Sequence, residues 1–285
     1  MKLAIVSAAA IAAALAAGPV AAKDGPSARI EHAVARVVVI VEDRADIGVE
    51  IEQGTSGLPT VQVRRRGGDV IINGGLKGGL FGNSAIRNCQ SAPDGARQPG
   101  EGASVEVRRV GTVRLADAPL IVIRTPRAVE VDVNSGAVFG AVGRDASSIE
   151  LNNGGCGDWT VANTEGTMSL SIMGSGDMRA GTSSRLEASI MGSGDIQAGA
   201  TGGLEANVMG SGDISAARVD GPVEANIMGS GDINIPGTVT NIEANIMGSG
   251  DINVGGATGA VSQSVMGSGN IVIAGQAVRQ PRRDR

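Results

Sequence analysis

The chain has no tyrosine, one tryptophan (Trp159), two phenylalanines (Phe81 and Phe139) and one histidine (His32) in 285 residues. Each shortage excludes something. A membrane β-barrel needs girdles of aromatic side chains at both interfaces. Carbohydrate and single-stranded nucleic-acid sites are commonly built on stacking rings. Neither has the material here. One His and two Cys (Cys89 and Cys156), at a spacing that fits no zinc motif, leave little to complete a zinc site or a Ser-His-Asp or Cys-His nucleophile. Basic charge is also scarce in the body: residues 160–275 hold eleven acidic and three basic side chains. Nucleic acid is therefore not expected as a partner.

Long apolar runs are equally rare. The one present, residues 3–17, follows Lys2 and precedes the helix-breaking pair Gly18-Pro19 and the small-residue site Val20-Ala21-Ala22. This pattern reads as a signal peptide, 1–22, cleaved after Ala22, which places the protein in the periplasm or outside the cell. The run falls short of the ~20 apolar residues that span a bilayer, and no second run follows. No transmembrane segment is expected after cleavage. In an oxidising compartment an even pair of cysteines points to a Cys89–Cys156 disulfide, the alternative being two separately buried thiols.

Glycine, by contrast, is abundant, with 45 residues, and it is periodic. Gly-Ser-Gly-Asp begins at Gly174, Gly192, Gly210, Gly229 and Gly248, and Gly-Ser-Gly-Asn begins at Gly267, at spacings of 18, 18, 19, 19 and 19. A fixed period near twenty is the signature of a solenoid. Upstream of each motif the sequence alternates with period two, as a half-buried strand does. One parity carries Met168, Leu186, Leu204, Val223, Ile242 and Val261, then Leu170, Ala188, Ala206, Ala225, Ala244 and Gln263, then Ile172, Ile190, Val208, Ile227, Ile246 and Val265. The other carries Glu187, Glu205, Glu224 and Glu243, then Ser171, Ser189, Asn207, Asn226, Asn245 and Ser264, then Met173, Met191, Met209, Met228, Met247 and Met266. Only the first set can build a core.

A second strand follows each motif, starting at Met178, Ile196, Ile214, Ile233, Ile252 and Ile271. Stacking such coils in register brings each strand ~4.8 Å from its equivalents. The expected fold is all-β: a right-handed parallel β-helix. An antiparallel β-sandwich would not explain identical residues in columns. The glycines are expected at sharp corners that need positive φ, with the Ser hydroxyl and Asp carboxylate satisfying corner amides.

The repeat continues upstream in degraded form, as Gly155-Cys156-Gly157-Asp158 and as an older copy at Asn134-Ser135-Gly136. Residues 61–72 read as a hairpin around Gly67-Gly68, and 83–104 as a polar Pro/Gly loop carrying Cys89. The expected organisation is a β-rich N-terminal cap over 23–104, the β-helix over 105–275 and a basic flexible tail, 276–285, with four Arg and one Asp.

The run Ile-Met-Gly-Ser-Gly-Asp-Ile, the segment Thr125-Pro126-Arg127-Ala128-Val129-Glu130-Val131 and the closing Gly267-Ser268-Gly269-Asn270-Ile271 resemble the head GIN domain family of auto-transporter adhesins, over about residues 35–277. The resemblance implies a secreted or periplasmic β-helical protein with an adhesin role and no established active site. The outward Met column departs from the family's pattern.

Candidate chemistry sits on the outward columns. Asp158, Asp177, Asp195, Asp213, Asp232 and Asp251 stack, and neighbouring carboxylates ~5 Å apart repel unless hydrogen bonds or a cation intervene. Calcium, which takes oxygen ligands, is the candidate cofactor. The Met column offers three readings: soft ligands for copper(I), an adaptable contact surface, or side chains covered by other structure. The leading functional reading is a non-enzymatic structural or interaction protein. It would bind a protein or cell-envelope partner, or a second copy, through Met191, Met209, Met228, Met247, Asn207, Asn226 and Asn245. The alternatives are a calcium-binding β-helix using the Asp column and a polysaccharide-acting enzyme with carboxylates in a groove. Identical residues in every coil argue against the enzyme, because catalysis needs one asymmetric constellation.

Overall fold

The computed structural model describes residues 25–76, 85–91, 93 and 97–275. The expected signal peptide, the basic tail and Phe81 lie outside these residues. The described chain is nearly all β, a solenoid of about eight turns.

The first nine strands are β1 (Ala28–Val41), β2 (Gly48–Glu52), β3 (Gln62–Arg66), β4 (Asp69–Asn73), β5 (Ile86–Gln90), β6 (Ser104–Val107), β7 (Gly111–Arg114), β8 (Leu120–Thr125) and β9 (Ala128–Val142). From β9 onward each coil contributes one strand to each of two parallel stacks. The first stack runs from the N-terminal half of β9 through Ser148–Asn153, Thr167–Ile172, Arg185–Ile190, Leu204–Val208, Val223–Ile227 and Ile242–Gly248 to Val261–Gly267. The second runs from the C-terminal half of β9 through Trp159–Val161, Met178–Ala180, Ile196–Thr201, Ile214–Val219, Ile233–Val239 and Ile252–Ala257 to Ile271–Ile273. The Gly-Ser-Gly-Asp motifs make the corner between the two stacks.

The strand pairing crosses the boundary expected at residue 105. β1 is itself a coil, pairing parallel with β9 from Ala28 to Val39. On its other side β1 pairs parallel with β4 and with β8, and each of these carries an antiparallel edge strand, β3 and β2. These two antiparallel edges close the N-terminal end. Residues 104–114 leave the solenoid altogether. β5, β6 and β7 form a separate antiparallel sheet that lies on its side.

The inward parity is the core, as the alternation requires. Met168, Leu186, Ile190, Leu204, Val208, Ile227 and Ile246 are all buried. Each such side chain removed from water contributes about 1.5–3 kcal/mol. The last coil departs from this: Val261 is only half-buried, Gln263 is exposed and Val265 is 45% exposed, because no described strand pairs beyond them. Trp159 fits inside the second stack because its neighbour in the preceding coil is Gly140, where a Cβ would lie 2.3 Å from the indole ring.

The glycine columns have a different cause from the one expected. Most of the motif glycines do not adopt a left-handed φ. A Cβ on Gly174, Gly192, Gly210, Gly229, Gly248 or Gly267 would instead stand 2.0–2.1 Å from the carbonyl oxygen of the equivalent residue one coil earlier. The second glycine of each motif meets the same obstacle: Gly176, Gly194, Gly212, Gly231, Gly250 and Gly269 would each place a Cβ 2.0–2.1 Å from a carbonyl oxygen. At these two positions of the corner the coils stack too closely for any side chain. The same contact corrects the oldest copy of the repeat. The Cβ position of Gly155 faces the Gly136 carbonyl, and Ala137 pairs with Cys156. The in-phase motif is therefore Gly136-Ala137-Val138-Phe139, two residues later than Asn134-Ser135-Gly136.

Candidate functional site

Outward-facing residues of the first stack form columns held by the strand register. Glu187, Glu205, Glu224 and Glu243 align, as do Asn207, Asn226 and Asn245. The Asn column is a hydrogen-bonded ladder: Asn226 Nδ2 donates to Asn207 Oδ1 at 3.1 Å and Asn245 Nδ2 to Asn226 Oδ1 at 3.0 Å. Two residues on, the Met column stands in water, its exposure rising from 44% at Met173 and Met191 to 54% at Met247 and 66% at Met266. Between the ladder and the thioethers runs an open groove of about 610 Å³, lined by Ser189, Asn207, Met209, Asn226, Met228, Asn245, Met247, Ser264 and Met266. The structure thus brings together six of the seven residues expected at a partner surface, with Met191 next in the column.

The Asp column is a second ladder. The backbone N–H of Asp195 donates to Asp177 Oδ1 at 2.9 Å, that of Asp213 to Asp195 at 2.9 Å, that of Asp232 to Asp213 at 2.8 Å and that of Asp251 to Asp232 at 2.7 Å. Asn270 ends it, donating both its backbone N–H and its Nδ2 to Asp251 Oδ1. Each carboxylate therefore satisfies an amide of the next coil, so the column is accounted for without an ion. Partial burial raises the pKa of Asp177, with the neighbouring charges of Asp158 and Asp195 adding to the rise and the Asp195 amide and Arg179 opposing it.

The lateral sheet explains where this ridge begins. Its underside packs Val105, Val107 and Val113, with Leu115 just after β7, against Val34, Ala137 and Phe139 of the first coils. Register places Val34 and Ala137 in the Ser column, and Phe139 in the Asp column. Apolar residues thus replace Ser and Asp where the sheet covers them. Cys156, the next residue of the Ser column, is disulfide-bonded to Cys89 of β5, as expected. Beyond it Ser175, Ser193, Ser211, Ser230, Ser249 and Ser268 are exposed.

One cluster was not expected. Carboxylate oxygens of Glu130, Asp132 and Glu150 lie within 4.8 Å of one another, at the head of the Glu and Asn columns. Asn152 Nδ2 donates to Asp132 at 2.8 Å and Arg29 lies 3.8 Å from Asp132. Glu130 and Asp132 face outward on β9 and Glu150 on the next coil, where the offset between coils is 20 residues before Ser135 and 19 after it, so motif spacing alone does not align them. His32 sits at a kink in β1 with φ of 50°, exposed.

Among the described residues no helix is long and apolar enough to cross a membrane. The sequence model of the family described as "Putative auto-transporter adhesin, head GIN domain" matches residues 32–221. Two solved structures are similar. One is a putative adhesin from Bacteroides fragilis, 15% identical, covering 87% of this chain and 91% of its own, with a TM-score of 0.45. The other is a putative lipid binding protein from Parabacteroides distasonis, 16% identical, covering 87% and 93%, with a TM-score of 0.47. No curated protein matches significantly.

Proposed function

The chain belongs to the family described as "Putative auto-transporter adhesin, head GIN domain", and from that premise we propose that it is a non-enzymatic interaction protein of the periplasm or cell exterior that docks a partner along the Asn/Met groove. The partner is a protein or cell-envelope component, or a second copy of this chain. One observation carries the reading: a continuous column of thioethers is left in water beside an ordered amide ladder. An apolar strip of this kind on an otherwise polar surface marks an interaction site. The Asn ladder supplies the polar rim that fixes orientation. A periodic surface also suits repetitive contact better than chemistry, since the same Met position recurs in every rung and no rung assembles distinct catalytic roles. The intramolecular disulfide and the signal-like N-terminal sequence support the compartment.

Replacing Met209, Met228 and Met247 together with Ser tests this reading. The triple variant is expected to keep the parent's circular dichroism and melting curve, because these side chains point away from the core. It should lose association measured by light scattering or by pull-down from envelope extracts. Unchanged association refutes the docking role of the groove.

A further inference from the structure

The Met column has a property that apolar docking alone does not require. All six positions are Met, while the buried column of the same strands drifts through Met168, Leu186, Leu204, Val223 and Ile242, and the adjacent outward column switches between Ser and Asn. Leu or Ile would supply the same bulk, as they do in the core. Unbroken methionine adds a flexible, polarisable thioether sulfur at every rung. The column also has a spacing suited to shared ligation. Parallel strands put successive Met residues ~4.8 Å apart, and two metal–sulfur bonds of ~2.3 Å from opposite sides span nearly that distance. Three side-chain torsions let neighbouring sulfurs close the remainder.

We propose that Met209, Met228, Met247 and Met266 form a binding site for a soft monovalent cation of the Cu(I) class, held between thioethers of successive coils. Thioethers favour such ions over Ca²⁺ or Mg²⁺. A neutral ligand set leaves the ion's charge uncompensated, and the fold supplies the compensation nearby. Four residues before Met209, Met228 and Met247 stand Glu205, Glu224 and Glu243, and four residues after them stand Asp213, Asp232 and Asp251; the corresponding neighbours of Met266 are Ser262 and Asn270. The sulfurs lie between two rows of carboxylates that attract a cation without ligating it.

Silver(I) nitrate in chloride-free buffer is the probe. It is a soft monovalent ion that needs no reductant, so the Cys89–Cys156 disulfide stays intact and offers no thiolate. With ¹³C-methyl-labelled methionine, the methyl resonances of the column are expected to shift saturably, while those of Met168 and Met178, both buried, stay still. A tenfold excess of Ca²⁺ should leave the shifts in place. The variant carrying Met209→Leu, Met228→Leu, Met247→Leu and Met266→Leu should weaken silver uptake at least tenfold and keep its melting curve. Because Leu preserves the apolar strip, this variant should still associate with a docking partner, which separates the cation site from the docking reading. The proposal is overturned if the column methyls do not respond to silver, if Ca²⁺ abolishes the response, or if the Leu variant takes up silver as the parent does.

Discussion

Gly231→Ala isolates what holds adjacent coils at their observed separation. The new Cβ would sit 2.0 Å from the Gly212 carbonyl oxygen, where ordinary contact begins at 3.4 Å. The Gly212 carbonyl belongs to backbone and cannot swing aside, so the corner must lift off the coil before it. Lifting strains three bonds: the Ser230 and Gly231 amides to the Gly210 carbonyl, at 2.8 and 3.3 Å, and the Asp232 amide to Asp213 Oδ1 at 2.8 Å. Overpacking costs ~1–3 kcal/mol and each of the three weakened hydrogen bonds ~1, giving about 4–6 kcal/mol in all. For a chain of this size that corresponds to a fall in Tm of roughly 8–24 °C. Two controls separate the causes. Ser230→Ala changes an exposed neighbour and should stay within ~0.5 kcal/mol. Gly67→Ala tests φ alone, since Gly67 has φ of 64° and nothing within 4 Å of its Cβ position; it should cost ~1–2 kcal/mol. Thermal unfolding followed by circular dichroism ranks the three. If Gly231→Ala melts within 2 °C of the parent, close stacking is not why the glycines recur.

Asp177→Asn should raise Tm at pH 7, because its carboxyl has a folded pKa above the ordinary 3.8, and the penalty for the charged form is present above that folded value. The gain should shrink as pH falls through the raised pKa and vanish once both folded and unfolded carboxyls are protonated. The new amide oxygen can still accept the Asp195 N–H, as Asn241 Oδ1 accepts the Ala260 N–H of the next coil at 2.8 Å; a variant less stable than the parent at pH 7 contradicts this. Removing the disulfide with Cys89→Ser and Cys156→Ser opens a loop of sequence separation 67, worth about 4 kcal/mol of chain entropy. Hydrogen exchange should quicken in β5, β6 and β7 and stay unchanged across the coils from Thr167 onward; uniform acceleration would show that the sheet and the solenoid unfold as one.

The repeat made the coils legible because each rung restates the same constraint. Period two identified the buried face, and Ile172, Ile190, Val208, Ile227 and Ile246 all lie on it. The N-terminal third was harder to read, since its constraints are used once. β1 has no Gly-Ser-Gly-Asp, and its partner in the Ser column is Ala137, so nothing in its sequence declares it a coil. The lateral sheet replaced Ser and Asp with Val34, Ala137 and Phe139, which erased the motif where the covering contact needed apolar surface. The glycine assignment failed for a related reason: close approach and positive φ both select glycine, and the sequence records only the outcome. The candidate groove was readable as columns. The hydrogen bonding of the Asn ladder was not, because it depends on side-chain orientation rather than on residue type.

The Asp ladder has a direction. Each donor amide belongs to a later coil and each acceptor carboxylate to the one before it, from Asp158 and Asp177 to Asp251 and Asn270. A chain that emerges N-terminus first therefore presents every acceptor before its donor arrives. Each coil presents the acceptors to which the following one bonds. Because a coil contacts only its neighbours, the length of such a fold can change by whole coils without redesigning either the foundation or the rung that ends the ladder.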